Sequence, residues 1–430
     1  MVQGFNETIG LEKGIIVEAF SQGNISDLTE KVVDAANKKV GAEDIPDIFA
    51  AYADTAYVVN QLGLVAELDR YLTEEELNEY RSEYLEEGRF DKNGALKIFP
   101  TAKSTEVMIL NSTDWKPFAQ ATGVQLPDLE TMEGVVEVGR QYYEWTDSLT
   151  EMPNDGKAFW GRDAMANYII IGCKQLGLEI FSVRDGEMTL QLDRKIMRKL
   201  WDCYYVPTVK GYFGSFGRFR SDDAKTGDII ALVGSTTGAT YFPDQVNTED
   251  GASYAIECTM LPVPTFAGGE NAIMQQGASM VVTKSDESTE YAATVFLKWF
   301  TEAQRNIGFS ASSGYLPVKN EANQLDKILP ALESVENGSA KELLKKMFTV
   351  TIDQLTDCEL YTSKAFAGGI DARAVLETAM SDKAREDRAQ VLTLLEQGES
   401  YENAVAAFDT DENFEQWYQQ LEESFQAVLA

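Results

Sequence analysis

Tyr291 to Val318, YAATVFLKWFTEAQRNIGFSASSGYLPV, couples an amphipathic helix to a run of small residues and a proline-locked exit. Tyr291, Val295, Trp299 and Phe300 recur at spacings of three and four, which predicts a helix with one buried face. Lys298, Glu302 and Arg305 keep the opposite face in water. After Phe309 the residues Ala311, Ser312, Ser313 and Gly314 break the period, and Pro317 biases Leu316 towards an extended backbone. The stretch reads as a helix of a domain core, then a Ser/Gly loop through which the chain leaves that domain.

Working outward, strands and helices alternate, which predicts an α/β fold. GIIVEAFSQG (14–23) reads as a strand and 27–39 as a helix. IPDIFAAY is a second strand, 56–64 a helix, and EEELNEYRSEYLEEG an acidic helix closed by Gly88. VMILN (107–111) is a buried strand, 129–145 and 162–177 are helices, and GDIIALVGSTTGATYF (227–242) is a strand followed by a small-residue loop. YAIECTMLPVPTFAGG reads as an edge strand leaving through Pro262 and Pro264, and IMQQGASMVVT as a returning strand. The last hundred residues are helical and acidic, with Gly368-Gly369 as the main break. Phe414, Trp417, Tyr418 and Phe425 form a packing face there, because the polar side is acidic rather than basic.

At 430 residues the chain suits two domains rather than one core. No exposed linker or internal repeat separates them, so the chain is expected to cross between two lobes several times. The expected division gives residues 1–110 and 266–316 to a first lobe and 111–265 and 317–430 to a second with a helical C-terminus. A formal charge of −33, from 37 basic and 70 acidic residues, argues against nucleic acid as a partner.

Histidine is absent, which removes Ser-His-Asp and Cys-His relays, HExxH zinc sites and the 2-His-1-carboxylate iron triad. Cys173, Cys203, Cys258 and Cys358 form no CxxC pair and read as small buried side chains. Neither a metal nor a cofactor is expected. GxGxxG, GxxxxGK[ST] and GxSxG are all missing, and GSTTG (234–238) lacks the lysine of a phosphate loop. No run reaches the length of a membrane span. Met1-Val2 opens straight into QGFNETIG with no leader pattern, so export would require a leader outside this sequence.

Polar and aromatic residues gather instead at strand ends and loop starts. They are Tyr52 and Asp54 after PDIF, Ser104 and Glu106 before VMILN, Trp160, Arg162 and Asp163 in FWGRDA, Ser235 and Thr237 after IIALVG, and Gln275 and Gln276 before GASM. In open α/β sheets ligands bind beyond the carboxyl ends of strands. Aromatic faces with carboxylate, guanidinium and amide groups suit a carbohydrate. Two carboxylates are also all that glycoside hydrolysis needs, so Asp54, Glu106 and Asp163 leave a carboxylate-dependent glycan-active enzyme open. A surface adhesin without a small ligand is a third reading.

The order PDIFAAYADTA, GLVAELDRYL, EVMILN, TMEG, GDIIALVGS and EYAATVFLKWFTEAQRNIGFSASSGYLPV resembles the extracellular solute-binding proteins, family 1, of bacterial ABC importers, a group that includes maltose-type receptors. The resemblance covers roughly residues 14–318. It implies a two-lobed periplasmic-binding-protein-like fold of class II type that closes on a solute, with no reaction. Further implications are an oligosaccharide ligand, permease subunits as partners, a monomer, and an extracytoplasmic location, periplasmic or held by a lipid anchor. By position, Tyr52 and Asp54 would contact hydroxyls, Ser104 to Glu106 would offer polar groups, and Trp160 with Arg162 would supply a platform. Thr237 stands where many relatives carry a stacking Trp, which shifts attention to Tyr241. Arg373 matches a late helix facing the cleft. Relatives carry a strand and helix before the equivalent of 14–23, so this start is either trimmed or compressed, with Phe5, Asn6 and Glu7 lining the cleft.

Overall fold

The computed structural model describes residues 1–248, 251–334 and 338–429. In the first lobe, strand Ile48–Ala51 pairs antiparallel with Ser279–Val282. Helices Ile25–Ala36 and Ala53–Gln61 cover it, burying Val32, Ala36, Phe49, Val59 and Val281 in one core. Asn24 caps the first of these helices in a reciprocal box with Asp27, which satisfies backbone donors that would otherwise be unpaired.

The second lobe is built on a four-stranded sheet in the order Trp160–Arg162, Ala231–Ser235, Glu106–Asn111, Cys258–Leu261. Every residue of Glu106–Asn111 is buried, which explains its unbroken apolar run. Helices Ser112–Thr122, Arg220–Thr226 and Gly338–Asp357 pack on this sheet, and helices Met132–Asp147, Met165–Gln175, Arg194–Lys210, Gly369–Glu396 and Asp411–Leu429 pack on one another beside it. The expected aromatic face near the C-terminus is packing, with Phe414, Trp417 and Phe425 buried. Among the described residues no helix is long and apolar enough to cross a membrane.

The lobes are stitched together by chain passages lying side by side. Lys103 and Leu316 exchange backbone hydrogen bonds of 3.1 and 2.6 Å, and Ser104 and Gln276 exchange two of 2.9 and 2.8 Å. A further passage follows strand Glu359–Tyr361, because Ala365 packs in the first lobe's core and Lys364 Nζ donates to Arg89 O. Repeated crossing is therefore real, but its positions differ from those expected. Strand Glu106–Asn111, placed in the first lobe by a boundary at 110, pairs with Ala231–Ser235 and Cys258–Leu261 in the second. Ala272–Met274 pairs in parallel with Glu359–Tyr361, so the return lies at 275 rather than 266. Beyond 317, Lys319 and Asn320 still bond to Glu79 and Tyr80 of the first lobe.

Other elements also depart from expectation. Residues 14–23 form no strand: Val17 gives both backbone groups to the Asn6 side chain, and Ile16 and Phe20 are exposed. Phe5 packs edge-on against Phe296 and Trp299, so it and Asn6 brace the first lobe rather than line a cleft. In the opening stretch, helix Glu287–Phe300 is followed by a second, Ala303–Ser313. The expected Ser/Gly loop is that helix's last turn, ended by Gly314 at φ +76°. The buried face runs through Glu290, Ala293, Thr294 and Leu297, leaving Tyr291 half exposed. Trp299 belongs to the first lobe's interior, as its spacing implies.

Candidate functional site

Strand Glu106–Asn111 begins, and strands Trp160–Arg162 and Ala231–Ser235 end, at one edge of the second sheet, since Glu106 opposes Ser235 and Arg162 opposes Val233. This edge faces the crossings at 103–105 and 275–277. Arg162 Nη2 lies 2.7 and 2.8 Å from the two oxygens of Glu106, with both side chains buried. Asn167 Nδ2 donates to Glu106 Oε1 at 3.2 Å, and Asn167 Oδ1 accepts from Arg373 Nη2 at 2.9 Å. A polar chain thus runs from the sheet edge to the first turns of helix Gly369–Glu396. Ala164, with φ +54°, makes the tight exit that brings Arg162, Asp163 and Asn167 together; a non-glycine residue in that region is strained.

The first lobe presents Tyr52 and Asp54 at the start of helix Ala53–Gln61. The Asp54 carboxylate lies against Gly369, so closely that a Cβ there would collide with Oδ1. Burial pushes the Asp54 carboxyl up to about 6, opposed by Arg373 and reinforced by Glu87. Glu87 forms an ion pair with the buried Lys103 and accepts from Gln275 Nε2 at 2.9 Å. Lys103 Nζ also donates to Gly277 O at 2.9 Å, which ties two crossings to the first lobe.

The groups left open to the cleft are fewer than the sequence proposes. Tyr52 is 47% and Tyr241 77% exposed. Asp54, Asp163, Ser235, Thr237, Gln276 and Arg373 are partly exposed. Burial raises the hydroxyl pKa of Tyr52 and of the half-buried Tyr315, each with a second tyrosine in its neighbourhood, Tyr315 for the first and Tyr241 for the second. Gln276 Nε2 reaches Glu106 at 3.4 Å while its Oε1 has no protein partner. Ser235 Oγ pairs with Thr237 Oγ1 at 3.0 Å, and Asp163 Oδ1 accepts from the Arg220 backbone at 3.1 Å.

Trp160 is a correction. It is fully buried against Phe213, ring centroids 4.6 Å apart, and offers no platform. Ser104, Glu106, Arg162 and Gln275 are likewise buried, forming the wall behind the opening. Glu87, Lys103 and Asn167 join the candidate site beyond the residues that the sequence singles out. Lys103 stands in the segment TAKSTE, yet a lysine there reads as solvated. Asn167 is hidden in the apolar helix MANYIII, whereas Tyr315-Leu316-Pro317 reads as a crossover beside the cleft, which the pairing of Leu316 with Lys103 bears out.

Solved structures of similar fold cover nearly the whole chain. UgpB from Mycobacterium tuberculosis, in complex with glycerophosphocholine, is 18% identical with TM-score 0.66, covering 100% of this chain and 94% of its own. The cyclic alpha-maltosyl-1,6-maltose binding protein from Arthrobacter globiformis is 16% identical with TM-score 0.66, covering 99% and 95%. An ABC substrate-binding protein from Listeria monocytogenes, in complex with cycloalternan, is 14% identical with TM-score 0.62, covering 98% and 94%. A search of curated protein sequences gives no match. The family described as "Bacterial extracellular solute-binding protein" matches residues 1–334. Its members are receptors, which removes the glycan-active enzyme. With its two-lobed α/β fold and a family match over residues 1–334, this chain belongs to the bacterial extracellular solute-binding proteins.

Proposed function

We propose that the protein captures an oligosaccharide between its lobes and delivers it to the permease of an ABC importer, working as a monomer tethered by a lipid at the outer face of the membrane. The observation that supports the ligand class is the grouping of Tyr52, Asp54 and Arg373 where the two lobes meet, with Tyr315 beside Tyr52. Tyrosine rings cover the C–H face of a sugar, while carboxylate, amide and guanidinium groups pair with its hydroxyls. One of the similar structures is named as a cyclic alpha-maltosyl-1,6-maltose binding protein and another is in complex with cycloalternan, which supports the same reading.

The test is a thermal-shift and calorimetric panel of linear and cyclic oligosaccharides, with glycerophosphocholine as a non-sugar comparison. A bound sugar at a hundredfold its Kd stabilises the native state by about 2.7 kcal/mol. Asp54→Ala is expected to lose binding at least tenfold while unfolding no earlier than wild type at neutral pH. Unchanged affinity in that variant removes Asp54 from the site, and stabilisation by glycerophosphocholine alone overturns the carbohydrate reading.

A further inference from the structure

Two more aromatic side chains stand open to solvent in the loop 214–219, Phe216 at 66% and Phe219 at 51% exposure. The chain direction places the loop backbone at the end of the second sheet that holds Asp163, with the Phe216 ring lying back over Gly214. Phe213 makes a parallel bridge with Trp160, and Gly214 N donates to Trp160 O at 2.9 Å. The chain leaving Phe213 therefore advances in the same direction as Trp160–Arg162, towards the edge that holds Arg162, Ser235 and Glu106. Phe213 lies outside the Trp160 strand, three strand spacings from the Glu106 strand, or roughly 14 Å.

The loop is held in shape from beneath. Asp223 Oδ1 accepts from Gly217 N at 2.6 Å and its Oδ2 from Phe216 N at 3.1 Å, while Asp222 Oδ2 accepts from Phe219 N at 3.2 Å. Arg220 pairs with Asp223 in the interior, and its backbone N–H donates to Asp163 at the end of the Trp160 strand. The Arg218 guanidinium lies 5.2 Å from the centroid of the Phe219 ring. Single exposed apolar residues need no explanation. Here, however, carboxylates and a buried ion pair fix a loop that keeps two phenyl rings in water beside the cleft. Such preorganisation lowers the entropy cost of binding.

We propose that Phe216 and Phe219 form an outer stacking subsite for a sugar unit of the same oligosaccharide whose other end lies at Asp54 and Arg373, with Arg218 supplying donors to its hydroxyls. This rests on the carbohydrate reading above. Because the loop is three strands away from Glu106, a monosaccharide at Asp54 does not reach it, whereas a chain of several units does. The subsite makes affinity rise with chain length.

The experiment compares wild type with the Phe216→Ala/Phe219→Ala double variant by calorimetry. The probes are homologous linear α-glucans, β-glucans, xylans and mannans of one to six units. Both side chains are largely solvent-exposed, so equal unfolding midpoints without sugar are expected. In the series that binds, wild-type affinity should climb with length, and the variant should be about tenfold weaker for the long members and unchanged for the shortest. Equal affinities at every length overturn the subsite and leave the carbohydrate reading standing. Binding of cyclic oligosaccharides but of no linear series overturns the subsite alone, and binding of neither overturns the carbohydrate reading and the subsite with it.

Discussion

Asp54 carries two demands in one side chain. Its ordinary pKa of 3.8 rises to about 6, mainly through burial, with Arg373 opposing and Glu87 adding to the shift. Between pH 4 and 6 the native protein then binds a proton that the unfolded chain has released, so this group's contribution falls as pH rises through that window and stays low above it. Asp54→Asn removes the penalty. The variant should be more stable than wild type at pH 8 by about 1–3 kcal/mol, with the difference vanishing near pH 4. Denaturant midpoints at the two pH values check this, and an equal difference at both contradicts it. Aspartate in a strand-end loop could be singled out from the sequence because few residues there are charged. The burial of Trp160 could not be, because FWGRDA reads the same whether its ring faces the cleft or Phe213.

At the scale of elements, the edge of the second sheet depends on the Glu106–Arg162 pair. Truncating Glu106 to alanine leaves a buried guanidinium without its anion, which costs about 3–5 kcal/mol. Urea unfolding should show a lower midpoint with an unchanged slope, and Glu106→Gln, which keeps an acceptor for Arg162, should lose less. Wild-type stability in the alanine variant would mean that the pair is not the structural wall described above. The apolar strand behind Glu106 is legible because it is buried on both faces. The equally apolar run 14–23 misleads for a physical reason: a strand exists only with a neighbour, and Val17 satisfies both its backbone groups with the Asn6 side chain instead. The helix at 287–300 was legible as an element but not in phase, since Tyr291 lies outside the buried face.

For the whole molecule, the sequence shows that the chain crosses between lobes but not where. VMILN would fill either sheet equally well, and only pairing with Ala231–Ser235 assigns it to the second. The contact between lobes at Asp54 and Gly369 predicts a way to prop them apart. Gly369→Ala places a methyl group against the Asp54 carboxylate. In a helix's first turn, alanine is otherwise the better residue by up to about 1 kcal/mol, so the fold should not suffer. Solute affinity is expected to fall several-fold, and small-angle scattering with saturating solute should give a larger radius of gyration than wild type. Wild-type affinity and radius would show that closure tolerates the methyl group.

The chain's six tryptophans are all packed into its aromatic interior. Trp115, Trp160, Trp201, Trp299 and Trp417 are buried, and Trp145 leans on Phe118 and Tyr142. The rings proposed to meet solute are tyrosines and, on the rim, phenylalanines. Tryptophan emission should therefore stay nearly silent when solute enters, while ultraviolet difference absorbance of the tyrosines should respond. On the proposed site, the expected optical signature of binding is phenolic.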